Sequence, residues 1–212
     1  MSSFPEALAD RFHRFRHRHF VPNAEQYEEL ATYGQNPEVM LISCCDSRVD
    51  PETIFSAMPG ELFVVRNVAN LVPPFETDGK FHGIPAAIEF AVLNLRVKHI
   101  IVMGHSGCGG VKAALDQSEA IQTEARFISR WMSMLDSARL HVLAANQMSP
   151  QAVKVSALEK EGVKTSIKNL RTFPFVSETE EKGRLSLHGA YFDIATGTLS
   201  VLNHSRKEFY PL

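Results

Sequence analysis

Val39-Met40-Leu41-Ile42-Ser43-Cys44-Cys45-Asp46-Ser47-Arg48 and Ile100-Ile101-Val102-Met103-Gly104-His105-Ser106-Gly107-Cys108-Gly109-Gly110 are built alike. Each opens on a short unbroken apolar run, Val39 to Ile42 and Ile100 to Met103, which is the pattern of a strand buried on both faces of a parallel sheet. Each then turns polar and carries cysteine or histidine where the strand stops. Ligands of open parallel sheets bind outside the carboxyl ends of the strands, so two neighbouring strands can bring Cys44, His105 and Cys108 together despite their separation in sequence.

Two thiolates and one imidazole make a zinc set, and three protein ligands with a fourth position open to solvent is the catalytic form of such a site. His105 and Cys108 stand three apart, within reach of one tight turn. Gly104, Gly107, Gly109 and Gly110 are read as allowing positive φ and close approach. Cys108 to Leu115 reads as a helix start, whose positive end favours a thiolate at Cys108. Two plainer readings stand beside this one. Cysteine is often a small buried residue, and glycine-rich strand-to-helix turns also bind phosphate.

Taken together, Cys44-x-Asp46-Ser47-Arg48 and His105-x-x-Cys108 resemble the zinc signature of the β-class carbonic anhydrases. Glu61-Leu62-Phe63-Val64-Val65-Arg66-Asn67-Val68-Ala69-Asn70 and Ala86-Ala87-Ile88-Glu89-Phe90-Ala91-Val92 agree with it, and the likeness runs from about residue 25 to the C-terminus. The resemblance implies one Zn2+ per chain on Cys44, His105 and Cys108, and reversible hydration of carbon dioxide to bicarbonate and a proton. It further implies attack by a zinc-bound hydroxide oriented by an Asp46–Arg48 dyad, with carbon dioxide held by a small apolar wall and backbone amides near Gly109. A homodimer, often doubled to a homotetramer, is implied as well, with residues 1–22 as an arm across a partner subunit.

An Asp and an Arg two apart can also be an ordinary ion pair at a strand end. If Arg48 grips the carboxylate through two charge-assisted hydrogen bonds, Asp46 stays off the metal. If Arg48 lets go, Asp46 becomes an exchangeable fourth ligand in a closed state. In one branch of the family, bicarbonate stabilises that closed form through a Trp, an Arg and a Tyr. Leu41 and Phe192 fill the Trp and Tyr places here and only Arg66 survives, so an open site without this regulation is expected. Two thiolates neutralise the dication, so turnover should climb from neutral to alkaline pH. The rivals are hydrolysis of carbonyl sulfide or carbon disulfide on the same scaffold, and a structural zinc in a non-catalytic interaction protein. A structural site normally supplies a fourth Cys or His.

The 212 residues suffice for one α/β domain, and no Pro, Gly or Ser-rich linker divides them. The expected fold is a mainly parallel central sheet of about four strands plus a C-terminal edge strand, flanked by helices. A formal charge of −2 gives no footprint for nucleic acid, and no apolar run is long enough to cross a membrane. The three cysteines are too few for a disulfide framework and point to the cytoplasm. Arg11 to His19 is strongly basic, and Phe4, Leu8, Phe12 and Phe15 recur at helical spacing before and within it; this reads as an apolar stripe that packs on protein in preference to an arm for RNA or a membrane surface.

Along the chain, Asn23 to Gln35 reads as a helix with Tyr27, Leu30, Ala31 and Tyr33 inward, closed by Gly34. Asp50-Pro51 reads as an N-cap and first helical residue, and Leu62 to Val65 as a buried strand. Pro73 to Gly83 is a long loop. Pro85 opens a helix with Ile88, Ala91, Val92 and Leu95 inward. Ala120 to Val142 reads as one long helix with Phe127, Trp131, Leu135, Ala138 and Val142 on its core stripe. Ser149-Pro150 caps another, ending near Leu170. Leu185 to Phe192 and Leu199 to Leu202 read as a hairpin. Cys45 is read as buried filler, His82 as a candidate proton shuttle, and His188 and His204 as structural residues at strand ends. Phe75-Glu76-Thr77-Asp78 lies where some family members place a Gln near the substrate.

Overall fold

The computed structural model describes residues 4–77, 82–116 and 127–212. Its centre is a sheet in the order β2-β1-β3-β4-β5-β6, formed by β1 (Val39–Cys44), β2 (Leu62–Asn67), β3 (His99–His105), β4 (Ser186–Phe192), β5 (Leu199–Asn203) and β6 (Glu208–Pro211). The first four neighbours run parallel, and β5 and β6 are antiparallel. The chain leaves β1 toward β2 on one side and returns to β3 on the other. The strand order therefore reverses between β1 and β3, the place where a parallel sheet opens a crevice at its carboxyl end.

Met40, Ile42, Ile100 and Val102 point to one face of the sheet and are fully buried under Ile88, Ala91, Val163, Ile167 and Leu170. Those covering residues come from α4 (Gly83–Glu89), which continues as a π-helical segment to Leu95, and from α8 (Gln151–Leu170). Leu41, Met103 and Ala190 are buried on the opposite face. Alternation thus sends consecutive apolar residues into two separate cores, which is why the run is unbroken. β2 departs from this expectation. It is an edge strand, and Leu62 to Arg66 are only partly buried.

Other elements obey their local chemistry. Asp50 caps α3 (Pro51–Ile54) by accepting from the Thr53 amide at 3.1 Å, with Pro51 at the first helical position. α2 (Ala24–Tyr33) ends at Gly34, whose φ is +83°. Tyr27 and Leu30 are half-buried there, but Ala31 and Tyr33 face solvent. α1 (Glu6–Phe15) buries no residue: Phe4, Leu8, Phe12 and Phe15 are all exposed.

Several expectations are corrected. Residues 120–126 lie outside the described residues, and the stretch from Phe127 to Val142 is not one helix. α6 (Ile128–Met132) passes through a 3-10 turn into α7 (Asp136–Ala145). Leu135 and Val142 are buried as the stripe required, yet Phe127 is 90% exposed, since the break turns it off the inner face. Pro150 is the N-cap residue of α8 and no side chain caps the helix, so Ser149 does not cap it. α9 (Pro174–Glu181) and β6 were not anticipated. His188 lies inside β4, in register with Ile101, with its Nε2 3.1 Å from His99 Nδ1. His204 does come just after a strand end and meets the Leu187 carbonyl at 3.0 Å.

Candidate metal centre

Cys44 is the last residue of β1 and His105 the last of β3, so the two neighbouring strands deliver them side by side at the crevice. Cys108 comes next, on the turn into α5 (Gly109–Asp116). The three are 5%, 1% and 2% exposed. Their ligating atoms lie within 4.8 Å of one another, the only such group of three or more among the described residues.

The turn is shaped by Gly107, the one glycine of the motif with positive φ, at +69°. Gly104 and Gly110 serve close packing instead. A Cβ on Gly104 would sit 2.8 Å from Val163 Cγ2, and one on Gly110 would sit 2.9 Å from Val68 Cγ1. Gly109 has nothing within 4 Å of such a position.

The donor set fits a cation. A carbonyl only accepts, so the 3.0 Å contact of His105 Nδ1 with the Ser106 carbonyl places the ring proton on Nδ1 and leaves a lone pair on Nε2. That Nε2 is buried and has no hydrogen-bond partner. The sulfurs of Cys44 and Cys108 are 4.0 Å apart. The hydrogen bond from Cys108 holds the Cys44 thiol down to about 4, while that same bond, burial and the Cys44 charge push Cys108 up. Two thiolates this close need a positive charge between them.

Backbone amides prepare both sulfurs for negative charge. The amides of Asp46 and Ala69 point at Cys44 Sγ, the second at 3.4 Å, and those of Gly110 and Val111 point at Cys108 Sγ. Ala69 reaches its position with a φ of +64°, unusual for a residue with a Cβ. The Trp131 indole holds the same segment by donating to the Val68 carbonyl at 2.8 Å.

Beside these three side chains stand Asp46 and Arg48. Arg48 Nε and Nη2 donate to Asp46 Oδ1 and Oδ2 at 2.9 and 2.7 Å, and the Arg48 amide donates to Oδ1 at 3.0 Å. The Arg48 hydrogen bonds hold the Asp46 carboxyl well below the usual carboxylate range. Arg48 Nη2 also reaches the Gly107 carbonyl at 3.1 Å, tying the loop after β1 to the turn after β3.

Next to the cluster lies Glu159 of α8, 3% exposed, which accepts from the Cys108 amide at 2.8 Å and from the Tyr191 hydroxyl at 2.7 Å. Burial pushes its carboxyl up. Sequence reasoning missed it, although the signal was there. Glu159 falls on the same inward stripe as Val155, Leu158, Gly162, Val163 and Ser166, and a lone acid on such a stripe needs partners.

Cys45 is exposed, against expectation. The strand ends at Cys44, so alternation no longer governs it, and its side chain lines an open cleft of about 920 Å³ with Val68, Pro74, Ile84, Phe127 and Trp131. His82 is exposed at the start of α4. Of the Phe75 to Asp78 neighbourhood, Asp78 lies outside the described residues, and Phe75 packs edge-on against Phe173. Leu41 is fully buried, and Phe192 is half-buried in the pairing with β5.

Among known proteins, the family model described as carbonic anhydrase matches residues 39–199. The mitochondrial β carbonic anhydrase 6 of Arabidopsis thaliana is 34% identical over 196 residues, which cover 92% of this chain and 67% of that protein. Among solved structures, the β-carbonic anhydrase CcaA superposes with a TM-score of 0.91 at 31% identity, covering 98% of this chain and 91% of that one. A tetrameric β-carbonic anhydrase of Sordaria macrospora superposes with a TM-score of 0.82 at 31% identity, covering 93% and 95%.

Proposed function

The chain belongs to the β-class carbonic anhydrases, zinc enzymes, and from that premise we propose that Cys44, His105 and Cys108 hold the zinc while Asp46 and Arg48 direct carbon dioxide hydration beside it. The observation that carries this reading is the buried, unpartnered His105 Nε2 facing two sulfurs, next to a carboxylate gripped by a two-pronged guanidinium.

Zinc, when bound there, supplies a Lewis acid that makes water a competent nucleophile near neutral pH. The rest falls to the protein. Asp46 faces the site with its carboxylate fixed by three donors from Arg48. Held well below the usual range, this carboxylate does not keep a proton at neutral pH. It accepts a hydrogen bond from the attacking water and so aims the water's lone pair at the carbon of carbon dioxide. The Gly109 amide, in the first turn of α5, stands among the donors available to a substrate oxygen. Val68 and the cleft it lines supply an apolar wall. A carbon–oxygen bond forms, bicarbonate leaves, and the proton passes to solvent, with exposed His82 as the proposed relay.

A structural zinc would call for a fourth Cys or His, and among the described residues the group contains three. We propose that the exposed stripe Phe4, Leu8, Phe12 and Phe15 covers a second copy of the chain, giving a homodimer and, as in the Sordaria relative, a tetramer. No helix among the described residues is long and apolar enough to cross a membrane. The unpaired cysteines suit a reducing compartment, for which we propose the cytoplasm.

Stopped-flow hydration on zinc-loaded protein tests the activity. Turnover is expected to rise from neutral to alkaline pH and to vanish on chelation. Inactivity toward carbon dioxide at pH 8.5 with turnover of carbonyl sulfide or carbon disulfide would reassign the substrate.

A further inference from the structure

Trp131 and Cys44 sit at opposite ends of one peptide group. The Trp131 indole donates to the Val68 carbonyl at 2.8 Å, and the amide of the next residue, Ala69, donates to Cys44 Sγ at 3.4 Å. A trans peptide points its carbonyl and its N–H in opposite directions, so a donor that fixes the first also aims the second. Hydrogen bonds arranged head to tail in this way polarise one another: drawing charge onto the Val68 oxygen makes the Ala69 N–H a better donor to sulfur.

The turn that presents this peptide is built by other groups. Asn67, the last residue of β2, donates from Nδ2 to the Leu71 carbonyl at 3.0 Å and accepts at Oδ1 from the Leu71 amide at 2.8 Å, closing a loop over Val68, Ala69 and Asn70. Ser166 Oγ of α8 donates to the Asn70 carbonyl and accepts from the Val72 amide, each at 3.2 Å. Between these ties Ala69 and Asn70 adopt φ of +64° and +49°, two consecutive residues with a Cβ in the left-handed region, which the surroundings must impose. Removing the indole bond leaves those ties in place and frees the tilt of the Val68–Ala69 peptide.

We propose that Trp131 is a positioning residue of the metal centre: through the Val68–Ala69 peptide it keeps an N–H on the Cys44 sulfur, and so raises the affinity of the Cys44, His105 and Cys108 site for a soft dication. This rests on the metal-site reading above. A hydrogen bond to a thiolate spreads its charge and holds the sulfur in the orientation a metal needs. The one polar atom of the Trp131 side chain is spent on Val68, so the residue acts through the backbone.

Trp131 is the single tryptophan of the chain, so this one position can also be filled by benzothienylalanine, whose ring has the shape of indole and no N–H. The test compares the native full chain, Trp131→Phe and the benzothienylalanine protein, each loaded with cadmium-113. Scalar coupling between the metal nucleus and amide protons reports N–H···S bonds, and competition with a chelator reports affinity. The native protein should couple cadmium to the Ala69 amide through Cys44 and to the Gly110 and Val111 amides through Cys108. In both replacements the Ala69 coupling should shrink while those of Gly110 and Val111 stay. Affinity should fall by roughly threefold to tenfold, the weight of one hydrogen bond.

A native protein with no coupling at Ala69 overturns the proposal. So does native coupling or native affinity in the benzothienylalanine protein, which would leave only the packing of the ring. Equal loss of coupling at Ala69, Gly110 and Val111 overturns it too, since the site would then have loosened as a whole. A native protein that takes up no cadmium removes the metal-site reading itself, a distinct failure.

Discussion

Replacing Gly104 with alanine tests how the core of the sheet places the metal ligand that comes after it. The added Cβ would stand 2.8 Å from Val163 Cγ2, against an ordinary carbon–carbon contact of about 3.5–4.0 Å. Val163 is fully buried in the middle of α8, where a valine has one strongly preferred rotamer. Its other methyl already faces Gly189 of β4, where a Cβ would be 3.0 Å from Cγ1. One valine thus plugs two glycine notches on adjacent strands. Overpacking of this kind costs about 1–3 kcal/mol, and the upper half applies because leaving the preferred rotamer carries its own cost. Alanine also gains about 0.5–1 kcal/mol over glycine inside a strand, so the clash wins by about 2 kcal/mol. For a chain of this length that lowers Tm by roughly 4–8 °C. Urea or thermal unfolding of metal-loaded protein at fixed concentration measures it. Val163→Ala gives up about 1.6 kcal/mol for two methyl groups before any cavity cost, yet Gly104→Ala/Val163→Ala should be about as stable as Val163→Ala alone. Simple additivity of the two changes, or a Gly104→Ala protein as stable as the native one, would refute the notch argument.

Cys108→Ser should abolish stable metal binding, read by elemental analysis after dialysis, because a hydroxyl does not ionise to replace the second thiolate. Asp46→Asn should lower kcat/KM by about 100-fold to 10,000-fold with metal content retained, and an equal loss of metal would make Asp46 structural instead. Arg171 forms a two-pronged pair with Glu180 at 2.8 Å for each bond, joining the end of α8 to α9. The Arg171 hydrogen bonds lower the Glu180 pKa, so the pair stabilises the fold above the unfolded carboxylate value and that contribution fades as pH falls through the folded one. Being partly exposed, it is worth at most about 1 kcal/mol: Glu180→Gln should lose that much at pH 7 and draw level with the native protein as pH falls below the carboxyl's lowered folded value. A constant difference across this range would assign the effect to packing.

How much of the fold and site was legible beforehand depends on what kind of group carries each feature. The parallel strands were plain, because Met40 to Ile42 and Ile100 to Val102 must satisfy two cores at once and so cannot alternate. β6 was hidden by its brevity and by Pro211, which argues against a strand until it is seen on an edge, paired only with β5. The stripe from Phe127 to Val142 had helical spacing, but periodicity cannot register a 3-10 turn at Ser133–Leu135 that shifts the face. The candidate metal cluster was visible because Cys44, His105 and Cys108 fall where two neighbouring strands stop, although each cysteine taken alone reads equally well as a small buried residue. Their support was not, and for a physical reason. The amides aimed at the two sulfurs belong to Asp46, Ala69, Gly110 and Val111, and an amide has the same letter-independent chemistry at every position. Glycines carry the same ambiguity: Gly107 is needed for its φ, whereas Gly104 and Gly110 are needed for the volume they do not occupy, and only the neighbours Val163 and Val68 distinguish the two uses. The chemistry of the site is therefore written in side chains, while the positions that make this chemistry possible are written in backbone and in space.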